Sequence, residues 1–148
     1  MATSFISEDY VEGFWVQDEL MQVVCWGIVS VIDKLDAAKG VWPNNGFRDY
    51  IYDNSQGIFV GFMNLSLEEY LINQNARLCF LKILKDTKSL FLAKGPVLNT
   101  YELNAFQLVK ETKREWVKPL KVDLVIEVLN SLELLIGSKS APRSGAGL

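Results

Sequence analysis

The side chains able to do chemistry are few, and histidine is not among them, since the 148-residue chain has none. Its absence removes the commonest general base, the usual partner of a catalytic serine or cysteine, and the commonest metal-binding imidazole. A nucleophile would need some other activating group, and the two thiols lack one in sequence. Cys25 stands between Val24 and Trp26, and Cys79 between Leu78 and Phe80; such apolar neighbours mark free, buried thiols of the kind kept in a reducing cytosol. Asp33 and Asp36 lie three apart on a helix and could face one cation. No second metal-ligand motif completes a cage for them, so the pair reads as a solvated helix end. The run Gly57-Ile58-Phe59-Val60-Gly61 lacks the third glycine or the Lys-Ser/Thr that a phosphate loop needs, and reads as two permissive backbone positions flanking a buried segment. No enzyme, cofactor or metal site follows from these residues.

Two charged constellations remain. Lys110, Lys113, Arg114, Lys118 and Lys121 fall close together beside Trp116, which suits phosphate contact and base stacking. Glu111 and Glu115 interrupt that cluster and the pI is about 5.0, so a solvated helix face is the preferred reading and nucleic-acid association the alternative. The acidic constellation is sharper, because its carboxylates alternate with large aromatics. Glu8, Asp9, Glu12, Trp15, Asp18 and Glu19 form one group, and Asp49, Tyr52 and Asp53 a second. Trp26 joins them by continuing the polar stripe of its helix. Aromatics supply anchor area at low entropic cost and carboxylates steer a basic partner, so these ten residues are the candidate partner-binding surface. Phe14 and Tyr50 read as core, whereas Trp15, Tyr52 and Trp26 fit core and interface equally.

The elements that must position these residues read mainly as helices. Apolar residues make up 49% and charged residues 22% of the chain, the composition of a folded domain. Charge is uneven: residues 1–74 hold 3 basic and 11 acidic residues, net −8, and residues 75–148 hold 12 and 7, net +5. A central, mostly apolar helix is expected from Asp18 to Lys39, followed by a loop at 40–46 and a short helix around Phe47, Tyr50 and Ile51. Residues 58–63 are expected as an extended buried connector. Capping boxes at Ser66–Glu69 and Asn99–Glu102 predict helices starting there. The first should kink at 73–75 and run on to Ala93, and the second should reach about Lys118 with Trp116 on its apolar face. A last, largely buried helix spans Asp123 to Ile136 and is closed by Gly137, leaving 138–148 as a disordered tail. The expected fold is all-α, an irregular bundle of five to seven helices in one domain over 1–137. An α+β fold seeded by residues 58–63 is the alternative. Residues 1–9 lack the basic and apolar regions of a secretory signal, and the longest apolar run, Leu20 to Ile32, is too short for the roughly 20 residues of a membrane span. A cytoplasmic protein without a membrane partner is expected.

With its acidic-aromatic stretches at Glu8–Glu19 and Asp49–Asp53 and no catalytic constellation, the chain resembles, in general character over residues 1–137, the immunity proteins of bacterial contact-dependent inhibition and polymorphic-toxin systems. That resemblance implies tight, non-catalytic binding of a cognate toxin domain, often a nuclease, whose basic cleft would take carboxylates in place of phosphates. The basic second part leaves an acidic partner open, and a dimer through the aromatic surface is equally compatible with the pattern.

Overall fold

The structure, a computed structural model, describes residues 2–8, 12–35, 45–56, 61, 63–106 and 116–140, without the side chains of Asn45 and of 138–140. Strands β1 (Thr3–Ser7) and β2 (Gly13–Gln17) form an antiparallel pair in which Phe5 faces Trp15 and Ile6 faces Phe14. The reason lies in the alternation: Ser4, Ile6 and Val16 turn inward and are buried, while Thr3, Trp15 and Gln17 point outward, the period-two pattern of a half-buried sheet. Gly13 is required there, since a Cβ would stand 2.1 Å from the Ile6 carbonyl oxygen.

Helix α1 (Asp18–Lys34) follows β2 directly and is the centre of the molecule, with Met21 to Cys25, Ile28, Val29, Val31 and Ile32 all buried. Its acidic first turn and terminal Lys34 suit the helix dipole. Gly27 lets α4 (Gln74–Leu92) approach closely, because a Cβ would meet the Phe91 ring at 2.3 Å. Helix α2 (Asn45–Ser55) packs on α1 through Phe47 and Ile51. The buried Asn54 amide then donates to the Asn64 carbonyl at 3.0 Å, tying the chain beyond α2 back onto it. After the short α3 (Leu67–Tyr70) comes α4, then β3 (Val97–Leu98), α5 (Thr100–Ala105), β4 (Leu120–Lys121) and α6 (Val122–Ser140). β3 and β4 make a two-residue antiparallel ladder that brings α6 against α4 and α1. Lys88 of α4 reaches Glu133 at 2.7 Å and Asn130 at 3.1 Å on α6.

The fold is mostly helical, and its two small antiparallel sheets make it closer to α+β than to the expected all-α bundle. Among the described residues the strands lie at 3–7, 13–17, 97–98 and 120–121; of the expected seed at 58–63, residues 58–60 and 62 lie outside the described residues. The capping box at Ser66 does not form. Ser66 takes the left-handed conformation at φ 51° and its side chain caps nothing, whereas a serine N-cap needs extended backbone. α3 consequently ends after four residues, and the expected kink at 73–75 is a new helix start at which Asn73 accepts from the Ala76 N–H at 2.8 Å. At Asn99 and Glu102 both halves of the capping box are present, as expected. The helix it starts leaves the helical state at Phe106, and Trp116 is not helical. Both groups of the Trp116 backbone are held by Asn104, through N–H to Oδ1 at 2.7 Å and C=O to Nδ2 at 3.3 Å. α6 runs three residues past Gly137 to Ser140, so helix occupies the start of the expected tail. The loop at 40–44, the middle of the helix expected to reach Lys118 (107–115) and residues 141–148 lie outside the described residues.

Candidate functional site

The aromatic and acidic residues singled out in the sequence fall into separate environments. At the start of α1, Asp18 is buried, 3% exposed. Its carboxylate accepts from the Ser4 hydroxyl at 2.6 Å and from the Gly61 N–H, while Ser4 Oγ accepts from the Met63 N–H at 2.9 Å. A short polar chain thus ties β1 and the first turn of α1 to Gly61 and Met63, each donor having an acceptor. Glu8 is likewise buried, paired with Arg77 of α4, whose guanidinium also reaches the Ile136 carbonyl of α6 at 3.5 Å. Neither Glu8 nor Asp18 lies on the surface, which corrects the expectation that they face a partner. The chain folds over both carboxylates because each serves as an internal acceptor for neighbouring strands and helices.

Trp26 is also drawn inward. Its indole stacks on Phe106 with centroids 3.8 Å apart and planes 15° apart, tilts against Phe91 at 6.2 Å, and carries the Lys94 ammonium 5.6 Å from its centroid. It is half-buried and already occupied by its own fold. Trp15 differs, being 70% exposed on the outward face of β2 with the Phe5 ring laid against it at 5.3 Å. Glu12, at the other end of the strand, is exposed and its carbonyl accepts from the Ser7 hydroxyl at 2.6 Å. Glu19 is half-buried, and Asp9 lies outside the described residues.

The second acidic group sits where α2 meets the far end of α1. Arg48 grips Asp33 through two bonds of 2.9 Å, touches Asp49 at 3.4 Å, and lies 5.2 Å from the centre of the Tyr52 ring. The hydrogen bond to Asp33 is the main reason Arg48 holds its proton even more firmly than usual. Asp49 is exposed and Asp53 half-buried. Asp33, the half of the Asp33–Asp36 pair within the described residues, is therefore engaged by an arginine. Asp18 and Asp33 are fifteen positions apart on one helix, about 22 Å along its axis at ~1.5 Å per residue. The candidate surface is thus in two parts, Trp15 with Glu12 on the hairpin and Asp49, Tyr52 and Asp53 on α2.

On the basic side, Lys118 and Lys121 are exposed, and Trp116 is half-buried against the core. Lys110, Lys113 and Arg114 lie outside the described residues. Burial pushes the Cys25 thiol far above its ordinary value, which starves it of the nucleophilic thiolate, and both cysteines are free. Among the described residues no group of three or more His, Cys, Asp or Glu side chains is placed to hold a metal ion, and no helix is long and apolar enough to cross a membrane.

One surface escaped the sequence reading. α6 is expected to be largely buried, yet its outward stripe leaves Leu134 at 75% and Leu124 partly open to solvent. The signal was present in the spacing, since Leu134 follows Glu127, Asn130 and Ser131 at helical intervals and so shares their polar face. A groove of about 300 Å³ runs beside it, lined by Glu12, Gly13, Phe14, Ser131, Leu134 and Leu135. Comparisons with protein-family models, with curated proteins and with solved structures find no match.

Proposed function

We propose that the chain is a non-catalytic protein-binding inhibitor of the immunity-protein type, which neutralises a basic cognate toxin domain in the cytoplasm. The observation that carries this reading is Trp15, a large aromatic left 70% exposed on the outward face of β2. An exposed indole on a rigid strand is the kind of anchor that dominates protein interfaces. Asp49 and Asp53 supply the charge that steers a basic partner toward it, with an effect chiefly on association rate. A nuclease fits best as the toxin, because carboxylates can take the places of phosphates in its cleft.

Capture of the tagged protein from its native cells, after nuclease treatment and a salt wash, tests the reading. The expected result is a stoichiometric protein whose toxic activity the chain suppresses. Trp15→Ala should lose that protein from the wash, Asp49→Lys with Asp53→Lys should slow its association, and Lys110→Ala should change little. Recovery of nucleic acid alone, or a bound protein indifferent to Trp15 and to both aspartates, overturns the proposal and moves the site to the basic segment 110–121.

A further inference from the structure

The outward face of the hairpin is made by Thr3, Phe5 and Ser7 on β1 and by Gly13, Trp15 and Gln17 on β2, and none of the six carries a charge. Phe5 stands directly opposite Trp15 in the register, with their rings 5.3 Å apart and tilted by 50°. Cross-strand aromatic pairs of this kind restrain one another by contact. Phe5 has no core to fill, because Ser4 and Ile6 on either side of it are the residues that turn inward and are buried. It is half-buried all the same. Gly13 shows how its ring is accommodated: a Cβ there, on the same face as Trp15 and two residues before it, would come within 2.9 Å of Phe5 Cζ. The glycine leaves room for the tip of the Phe5 ring, and the indole lies against that same ring.

We infer that Phe5 is the positioning residue of the Trp15 anchor: its ring holds the exposed indole in one orientation before the partner arrives, so that little side-chain freedom is lost on binding. An indole has only two side-chain torsions to fix, so a single ring laid against it can restrict both. The contact is apolar and the face around it uncharged, so this contribution is insensitive to salt, unlike the steering by Asp49 and Asp53. The role in binding rests on the inhibitor reading above; the ordering of the indole does not depend on it.

The test uses the full chain labelled with nitrogen-15, which gives an indole Nε1–H signal for each of its four tryptophans, Trp15→Phe identifying that of Trp15. The heteronuclear Overhauser effect at this signal should match the backbone values of β2, and in Phe5→Ala it should fall to that of a mobile side chain. Phe5→Tyr keeps the ring and should restore it. If Phe5→Ala loses the cross-strand contact between Thr3 and Gln17, Phe5→Leu, which keeps apolar bulk without the flat ring, decides the same point. With the captured partner, Phe5→Ala should weaken binding about fivefold, equally at low and high salt, and should add little to the loss from Trp15→Ala. An indole as ordered in Phe5→Ala and Phe5→Leu as in the native chain overturns the inference. So does an additive loss in the double variant, which would make Phe5 a contact in its own right. Capture of no partner removes the inhibitor reading and the binding role with it, while the ordering of the indole stands or falls on the Overhauser effect alone.

Discussion

The two ends of α1 carry the same ingredients and use them differently. At the hairpin end, Asp18 has a phenylalanine and a tryptophan just before it in sequence; at the α2 end, Asp49 and Asp53 flank two tyrosines. Asp18 is buried, and the Ser4 hydroxyl of β1 and the Gly61 amide donate to it. Asp49 meets the edge of Arg48, and its side chain stays 68% exposed. Adjacent aromatics do not decide whether a carboxylate is internal or external. What decides it is whether another segment arrives with donors to compensate its desolvation, for without them burying a charge is prohibitive.

Three substitutions grade this contrast. Arg77→Ala should have the largest effect, because it leaves the buried Glu8 carboxylate without its counter-charge and frees the Ile136 carbonyl. A loss of roughly 3–5 kcal/mol is expected, read as a lower urea midpoint. Replacing the pair together, Glu8→Leu with Arg77→Met, should recover most of it, since the penalty belongs to the orphaned charge. A double variant as unstable as Arg77→Ala would mean the pair contributes something beyond mutual neutralisation. Next, Asp18→Asn keeps one carbonyl acceptor but presents an amide donor toward Ser4 or Gly61, at a cost of about 2 kcal/mol. Asp49→Asn should leave the urea midpoint unchanged. Equal costs at the two positions would break the comparison, because burial would then make no difference.

Helical periodicity made much of the scaffold readable from sequence, and the failures share a cause. α1 begins at Asp18 as expected, and the capping box at Asn99 and Glu102 forms because both of its partners lie within one turn. The Ser66–Glu69 motif has equally suitable residues, yet the left-handed backbone at Ser66 turns its hydroxyl away. That conformation accompanies the hydrogen bond from the Ser66 N–H to Asn64 Oδ1 at 2.8 Å, while Asn64 is itself tied to α2. A competing local hydrogen bond, from a residue itself anchored to α2, thus accompanies the loss of the motif. The hairpin was concealed for a related reason. Its alternation is short, and the pairing of Phe5 with Trp15 spans an acidic stretch that carries no local turn motif. Of the candidate surface, exposure at Trp15 and Asp49 was compatible with the pattern. Withdrawal of Glu8 and Asp18 was not legible, since their donors come from Arg77 and Gly61, far away in sequence.

The smallest measurable loss tests the contrast within one kind of contact. Asp33 and Arg48 make a two-pronged pair of good geometry, both bonds at 2.9 Å, but the side chains are 50% and 31% exposed. Water competes for both groups, so Asp33→Asn should cost only about 0.5 kcal/mol in dilute buffer and less as salt is added. Arg48 would still lie against the Tyr52 ring, which retains part of its docking on α2. A loss as large and as salt-insensitive as that of Asp18→Asn would show that the α2 end is internally braced rather than presented to solvent. The same substitution also bears on the interface. Asp33, Asp49 and Asp53 with Arg48 carry a net charge of −2, and neutralising Asp33 halves it while releasing Arg48 toward Asp49. Partner association should therefore slow, though less than with the two lysine replacements, while the fold scarcely weakens. Such a separation of binding from stability is what an exposed acidic edge predicts and a buried acidic network forbids.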